Sequence, residues 1–384
     1  MMNDIEFDLI FIIGYFRSAL PLLSVARHIK DKRIGVIYAQ NDELTNYKVK
    51  KYTDKFKDLL IKEDIFTCNE DYRYKTKILI IQEHIYCDLF LKKTSQNITY
   101  KYAIGLLGYR LGFDANSKFL QNFKIDICTI NDKNLFKLLV EKRNCANIFK
   151  KYTILEIGLP YLDYPPFETP KIDWLIASPT TFCFLDYKDL NRYLQNILKI
   201  INQVNKNELI AYKSHNGNQK DYLEKFSFLT RCMPKNIILY WFLQYLSEIL
   251  PLKFGKYFAI LSASLIHRII LKRVTPLSDL SENYYLSAEA FIPNVRFGVI
   301  GGNSNTIWGT LFYKKKYLNC IDNRNKSLYN SKKADMALNL NLSYFGVPFC
   351  ENDIKFKMNT KIRDKDLIKL NIVDLLISKL NELD

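Results

Sequence analysis

Two polar rows follow apolar runs in the second half of the chain. Lys213, Ser214, His215, Asn216, Gly217 and Asn218 come directly after the run Glu208–Tyr212. Gly301, Gly302, Asn303, Ser304, Asn305 and Thr306 come after Val295–Ile300, and Ile307, Trp308 and Leu311 then resume at helical spacing. In parallel sheets, ligands bind beyond the carboxyl ends of the strands, which is where both rows fall. An imidazole such as His215 can donate to a phosphate oxygen, and the ammonium of Lys213 balances its charge. In the second row two glycines permit a tight turn, Asn303 or Ser304 can cap the following helix, and the hydroxyls of Ser304 and Thr306 join the free N–H groups of its first turn. Capping alone also accounts for the second row, and a polar loop with a structural histidine accounts for the first. A third row, Ser178-Pro179-Thr180-Thr181, follows Trp174–Ala177. It reads either as a nucleotide contact through Ser178 and Thr180 or as a plain strand-to-helix turn.

Taken together, these groups suit an anionic leaving group. Lys213, His215, Ser304 and Thr306 supply donors and positive charge where a departing phosphate would gather charge. An attacking hydroxyl then needs a base. Glu83 and His84 lie just past the apolar run Lys77–Ile81, and Asp114 lies in the glycine-flanked GFDAN. For each of the three a structural role is the alternative. No DxD-type pair stands at a strand end, so no metal is expected, and no cofactor is implied. The eight cysteines form no CxxC pair and no zinc-ligand spacing. Several sit inside apolar runs, as Cys128 does in IDICTI, where the residue acts as a small buried hydrophobe. That usage fits a reducing compartment.

The elements that must position these residues are legible in the pattern. Phe7–Ile13, 33–39, 77–81, 125–130 and 153–157 are short apolar runs, separated in part by helical patterns such as SALPLLSVARHIKD. This alternation predicts βαβ units around a parallel sheet buried on both faces. YPPFETPK (164–171) then places three prolines in eight residues and reads as a linker. Beyond it the α/β logic restarts with strand 174–177, helix 187–204, and later strands at 295–300 and 317–321. A chain of 384 residues exceeds one ordinary core. The expected organisation is an N-terminal domain over 1–165 and a C-terminal domain over 171–384. The stretch 236–273 interrupts the second domain; Pro251 and Gly255 divide it into two helices of about four turns each.

Two Rossmann-like halves joined by a Pro-rich linker resemble glycosyltransferases of the GT-B fold, in which two such domains face a central cleft. More narrowly, KSH (213–215) and Ser304 with Thr306 resemble the His and Ser/Thr motifs of bacterial sialyltransferases, polysialyltransferases and related capsule or lipooligosaccharide enzymes. ILEIGLPYLD (154–163) is similar to the end of the N-terminal domain in polysaccharide-type transferases. The resemblance implies that KSH (213–215) and Ser304 with Thr306 bind the nucleotide of a CMP-activated acidic sugar; Ser178, Thr180, Asn216, Gly301, Gly302, Asn303 and Asn305 are the further candidate nucleotide contacts. It also implies that the loop with Gly14 and Arg17 lines the acceptor side. Three departures stand out: Asn216 follows His215 where the family has proline, Asn305 separates Ser304 from Thr306, and no acidic-acidic-Gly motif marks the catalytic base. CDP-glycerol-type polymerases and UDP-sugar transferases or epimerases share the layout.

The formal net charge of +16 favours an anionic partner. The basic residues are dispersed, and no helix-turn-helix, zinc-finger or RRM signature is present, so a nucleic-acid partner is not expected. The hairpin 236–273 is rich in aliphatic and aromatic residues and ends in basic ones. It reads either as an interfacial element on an anionic membrane or as two buried helices of an inserted subdomain. The expected partners are a nucleotide-sugar donor and a surface glycan or lipid-linked acceptor. The expected location is cytoplasmic, with peripheral contact at the inner membrane face.

Overall fold

The computed structural model describes residues 4–14, 19–38, 47–69, 72–82, 97–107, 124–144, 146–159, 168–178, 187–213, 234–302, 306–321, 344–347, 353–355 and 372–384. The chain divides into two compact units, Met1–Pro165 with Ile362–Asp384, and Pro166–Lys361. Each is an α/β unit built on a parallel sheet, and a helical insertion interrupts the second.

The first unit contains β1 (Ile5–Ile13), α1 (Leu20–His28), β2 (Ile34–Tyr38), α2 (Tyr47–Lys62), β3 (Phe66–Thr67), β4 (Tyr74–Gln82) and β5 (Ile98–Leu106). It continues with β6 (Ile127–Ile130), α3 (Lys133–Arg143), the single turn α4 (Ala146–Phe149) and β7 (Thr153–Glu156). Its described strands pair in the order β3-β2-β1-β4-β5-β6-β7, and every pairing is parallel. A strand buried on both faces reads as a continuous apolar run, and Leu9–Ile13 in β1 is such a run, with every residue at most 1% exposed. The strand β5 escapes the sequence reading. Its first half, ITYKY, alternates exposed and half-buried positions, and only Ala103–Leu106 has the apolar signature.

The second unit contains β8 (Ile172–Ala177), α5 (Tyr187–Gln203), β9 (Ile210–Lys213), α6 (Ile237–Ile249), α7 (Leu252–Leu271), β10 (Thr275–Pro276), β11 (Val295–Gly301), α8 (Thr306–Phe312) and β12 (Lys316–Asn319). The described strands pair in the parallel order β10-β9-β8-β11-β12. Helix α5 lays Tyr193, Leu194, Ile197 and Ile201 into a core shared with Trp174 and Ile176 of β8 and with Leu265 and Ile266 of α7.

The hairpin α6–α7 is pinned to α5 by hydrogen bonds as well as by apolar packing. Asn191 Nδ2 donates to Ser262 Oγ at 2.6 Å and to Ala259 O at 3.0 Å, and Gln195 Nε2 donates to Tyr240 Oη at 2.5 Å. His267 Nε2 lies 3.1 Å from Tyr212 Oη of β9. Burial pushes the Tyr240 phenol well above its ordinary pKa, so this hydroxyl stays protonated. The hairpin differs from the expected pair of equal helices. Gly255 lies inside α7, and Pro251 alone separates the helices. A Cβ at Gly255 would stand 2.8 Å from Ser247 O, so the glycine lets α7 approach α6 rather than ending a helix.

The end of the chain also departs from the expected 171–384 domain. Helix α9 (Ile372–Leu383) packs against α1 and β4 of the first unit. The Asp384 carboxylate beside it accepts from Lys77, Lys77 Nζ also lies 3.0 Å from Asp8 Oδ1, and Lys101 Nζ donates to Leu383 O at 3.1 Å. Buried Ile372, Leu376 and Leu380 supply the apolar contact.

Candidate functional site

In the second sheet the chain leaves β8 toward β9 and β10, then returns to the other side of β8 as β11. The order therefore reverses between β8 and β11. In doubly wound sheets such a switch point is where ligands bind, beyond the carboxyl ends. The registers put those ends level: Lys213 pairs with Ala177, Ala177 with Gly301, and Gly301 with Asn319. Strands lie about 4.8 Å apart, so the backbones of Lys213 and Gly301 stand roughly 10 Å apart across β8. The Ser178 N–H extends the ladder by one step, donating to Lys213 O at 3.0 Å. Ser178, Lys213, Gly301 and Gly302, from three separate stretches of the sequence, thus share one edge of one sheet.

The turn after β11 is built from β12. A Cβ at Gly301 would sit 3.0 Å from Tyr317 Oη and 3.3 Å from Ala177 O, so a side chain here would have to push its neighbours aside by a few tenths of an ångström. The Gly301 carbonyl accepts from Cys320 N–H at 2.8 Å. The Tyr317 hydroxyl, fully buried, donates to Gly302 O. Thr306 is buried too, and its Oγ1 donates to Tyr317 Oη at 3.4 Å, while Thr310 Oγ1 donates to Thr306 O at 2.6 Å. The described contact of Thr306 is thus an inward one that ties α8 to the turn. From α5, Asn196 Nδ2 donates to Cys320 O at 3.0 Å and fixes the chain just past β12. Lys213 is itself buried, 6% exposed, at the end of β9.

Sequence reasoning missed Tyr317 and Asn196. In YLNCI the tyrosine reads as one more strand residue; its register partner on β11 is Val299, and it is its hydroxyl that reaches on to Gly302 O. Thr180, His215, Asn216, Asn303, Ser304 and Asn305 lie outside the described residues.

The first sheet has the same switch between β1 and β4. Gly14, buried, ends β1 at that point. Arg17 follows β1 in the chain, Glu83 and His84 follow β4, and Asp114 follows β5; these four residues lie outside the described ones. Gln82, the last residue of β4, holds a buried Oε1 with no hydrogen-bond partner. An unsatisfied buried acceptor costs about 1–3 kcal/mol, and such groups concentrate where a ligand or water supplies the donor. The short motif QEH hides this residue beside two more conspicuous ones. Among the described residues no group of His, Cys, Asp and Glu is arranged to hold a metal ion.

No protein-family model matches the chain, and no curated protein sequence matches it. Solved structures do resemble it in outline. A candidate UDP-N-acetylglucosamine 2-epimerase from Listeria monocytogenes shares 10% identity over 88% of each chain, with a TM-score of 0.39. The S. aureus MnaA–UDP co-structure shares 8% over 88% of each chain, at 0.42. Medicago truncatula UGT71G1 complexed with UDP-glucose shares 9% over 99% of this chain and 93% of that one, at 0.38. At these values the likeness carries no argument about what this chain binds.

Proposed function

We propose that this protein is a nucleotide-sugar enzyme. In this reading it is a glycosyltransferase that takes a sugar from a pyrimidine nucleotide to a hydroxyl of a surface glycan or lipid-linked acceptor. The observation that carries the reading is the level row Lys213–Ala177–Gly301 at the switch point of the second sheet. KSHNGN, SPTT and GGNSNT, all suited to phosphate, begin in the chain at the ends of these three strands. The nucleotide phosphate takes charge from Lys213 and a donor from His215. The turn Gly301–Gly302 presents the backbone around Asn303, Ser304 and Asn305 to it, and Ser178 and Thr180 close the nucleotide side. As the sugar–phosphate bond breaks, negative charge gathers on the phosphate, and donors fixed there lower the barrier. Glu83, His84 or Asp114 takes the proton of the acceptor hydroxyl, and Gly14 and Arg17 lie on the acceptor side. Arg17 suits an acceptor that is itself anionic.

The resemblance favours a CMP-linked acidic sugar such as sialic acid. UDP stands beside it among the candidates, since UDP-sugar transferases and epimerases share the two-domain layout. A thermal-shift panel with CMP, CDP, UMP, UDP and GDP separates them. A ligand at a hundred times its Kd stabilises the folded state by about 2.7 kcal/mol. One pyrimidine nucleotide is expected to raise the melting temperature, and His215→Ala to erase that rise. A shift undiminished in His215→Ala would remove the phosphate assignment. Product formation that requires an added acceptor marks transfer, and sugar inversion without one marks epimerisation.

A further inference from the structure

Among the described residues, one face of the inserted hairpin is exposed. Helix α6 exposes Ile237, Ile238, Trp241, Phe242, Tyr245 and Ile249, and the start of α7 adds Phe254 and Tyr257. Residues 237, 241, 245 and 249 recur every fourth position and so form one stripe, with 238 and 242 alongside. The opposite side of α6 is where Tyr240, Leu243, Gln244 and Ser247 are buried. The five aromatic rings of the stripe are between 54% and 66% exposed. At about 200 Å² per ring, they alone leave on the order of 600 Å² of apolar surface, at the upper limit for a soluble monomer.

We infer that this face lies in the headgroup layer of an anionic lipid bilayer, with α6 parallel to the surface. The occupant follows from charge. Residues 235–273 carry six cationic residues, Lys235, Lys253, Lys256, Arg268, Lys272 and Arg273, against the single acid Glu248. Lys235 and Lys256 are exposed at the two ends of the stripe. A second copy of this chain, at net +16, would set like charges against these rims, whereas anionic lipid satisfies the cations and the apolar stripe together. Trp and Tyr on such a face favour the headgroup level.

The hairpin does not span the bilayer. Phe254–Leu271 is long and apolar enough to cross, but 56% of it is buried within the protein. Its Ser262 and His267 hold the hydrogen bonds to Asn191 and Tyr212, which extraction into lipid would break. At 1.5 Å per residue the 13-residue α6 is about 20 Å long, against a hydrocarbon core of about 30 Å. The inference does not rest on the nucleotide reading.

The chain offers a built-in probe. It has three tryptophans, and Trp174 and Trp308 are buried at 3% and 2% exposure, so a change in emission on adding lipid reports Trp241. The full chain is titrated with phosphatidylcholine vesicles with and without 30% phosphatidylglycerol, following emission and co-flotation. The expected result is a blue shift and at least tenfold stronger partition onto the anionic vesicles, weakened by raised salt. A Phe242→Glu/Tyr245→Glu variant is expected to lose at least tenfold of that partition while keeping its melting temperature and its nucleotide-induced shift. Absence of binding to anionic vesicles would overturn the inference. So would equal, salt-insensitive binding to both vesicle types, or partition unchanged in the double variant. A protein-concentration-dependent blue shift without lipid, with dimer in sedimentation, would assign the face to a second copy instead.

Discussion

Replacing Tyr317 with Phe removes one oxygen from the interior and leaves the ring in place. That oxygen donates to Gly302 O and sits 3.4 Å from the hydroxyl of Thr306. Tyr317 is fully buried and Gly302 is buried beside it, so water does not readily replace the lost donor. The Thr306 contact is long and adds little. The cost is therefore set by the orphaned Gly302 carbonyl, about 1–3 kcal/mol, with no cavity larger than a hydroxyl to add to it. For a unit of this size about 1 kcal/mol lowers Tm by roughly 2–4 °C, so the expected fall is roughly 2–12 °C. All three tryptophans belong to the second unit, so urea unfolding followed by tryptophan emission reads that unit without interference from the first. The same change frees the turn that leads into residues 303–305, so nucleotide affinity is expected to fall as well. An unchanged urea midpoint at constant slope, with unchanged nucleotide affinity, would refute the reasoning that β12 holds the turn.

Three further outcomes follow from the same structure. Asn191→Ala deletes the donor to Ser262 Oγ and Ala259 O; Ser262 Oγ still donates to Ala259 O at 3.1 Å, so the loss is expected at about 1–3 kcal/mol in the same urea assay. Burial pushes the Cys68 thiol from its ordinary 9.0 up to about 12. The native protein is then expected to resist alkylation at Cys68 near pH 9. Because the unfolded thiol ionises first, its contribution to stability is intact below pH 9 and is lost as pH rises toward 12, as urea midpoints across that range will show. Because Lys213 and His215 take the place of a cation in the proposed site, turnover is expected to survive excess EDTA in a product assay. Loss of turnover restored by a divalent metal would contradict that.

Much of the fold was legible because parallel strands buried on both faces announce themselves as apolar runs, as in Leu9–Ile13 and Ile78–Ile81. The strand β5 was not, because Lys101 and its tyrosines mark an edge that is only half-buried. Nor could local pattern show that α9 returns to the first sheet, since the contacts of Lys77 and Lys101 with the last residues span nearly the whole chain. The candidate rows at 178, 213 and 301 were legible as polar residues after apolar runs. That they share one edge depends on strand order, which no short stretch encodes. Tyr317 was silent because its role comes from the reach of its hydroxyl to Gly302 O. The hairpin was ambiguous because α6 is apolar around much of its circumference. Asn191 and Gln195 on α5 decide which side faces inward.

The central claim is that the carboxyl ends of β9, β8 and β11 form one nucleotide site. Photocrosslinking the intact chain with 5-azido forms of UMP, UDP and CMP, followed by peptide mapping, tests it directly. Label that unmodified nucleotide competes away should fall in the peptides that follow Ala177, Lys213 and Gly301. Competable label confined to the first unit, or none with any of the three nucleotides, would contradict it.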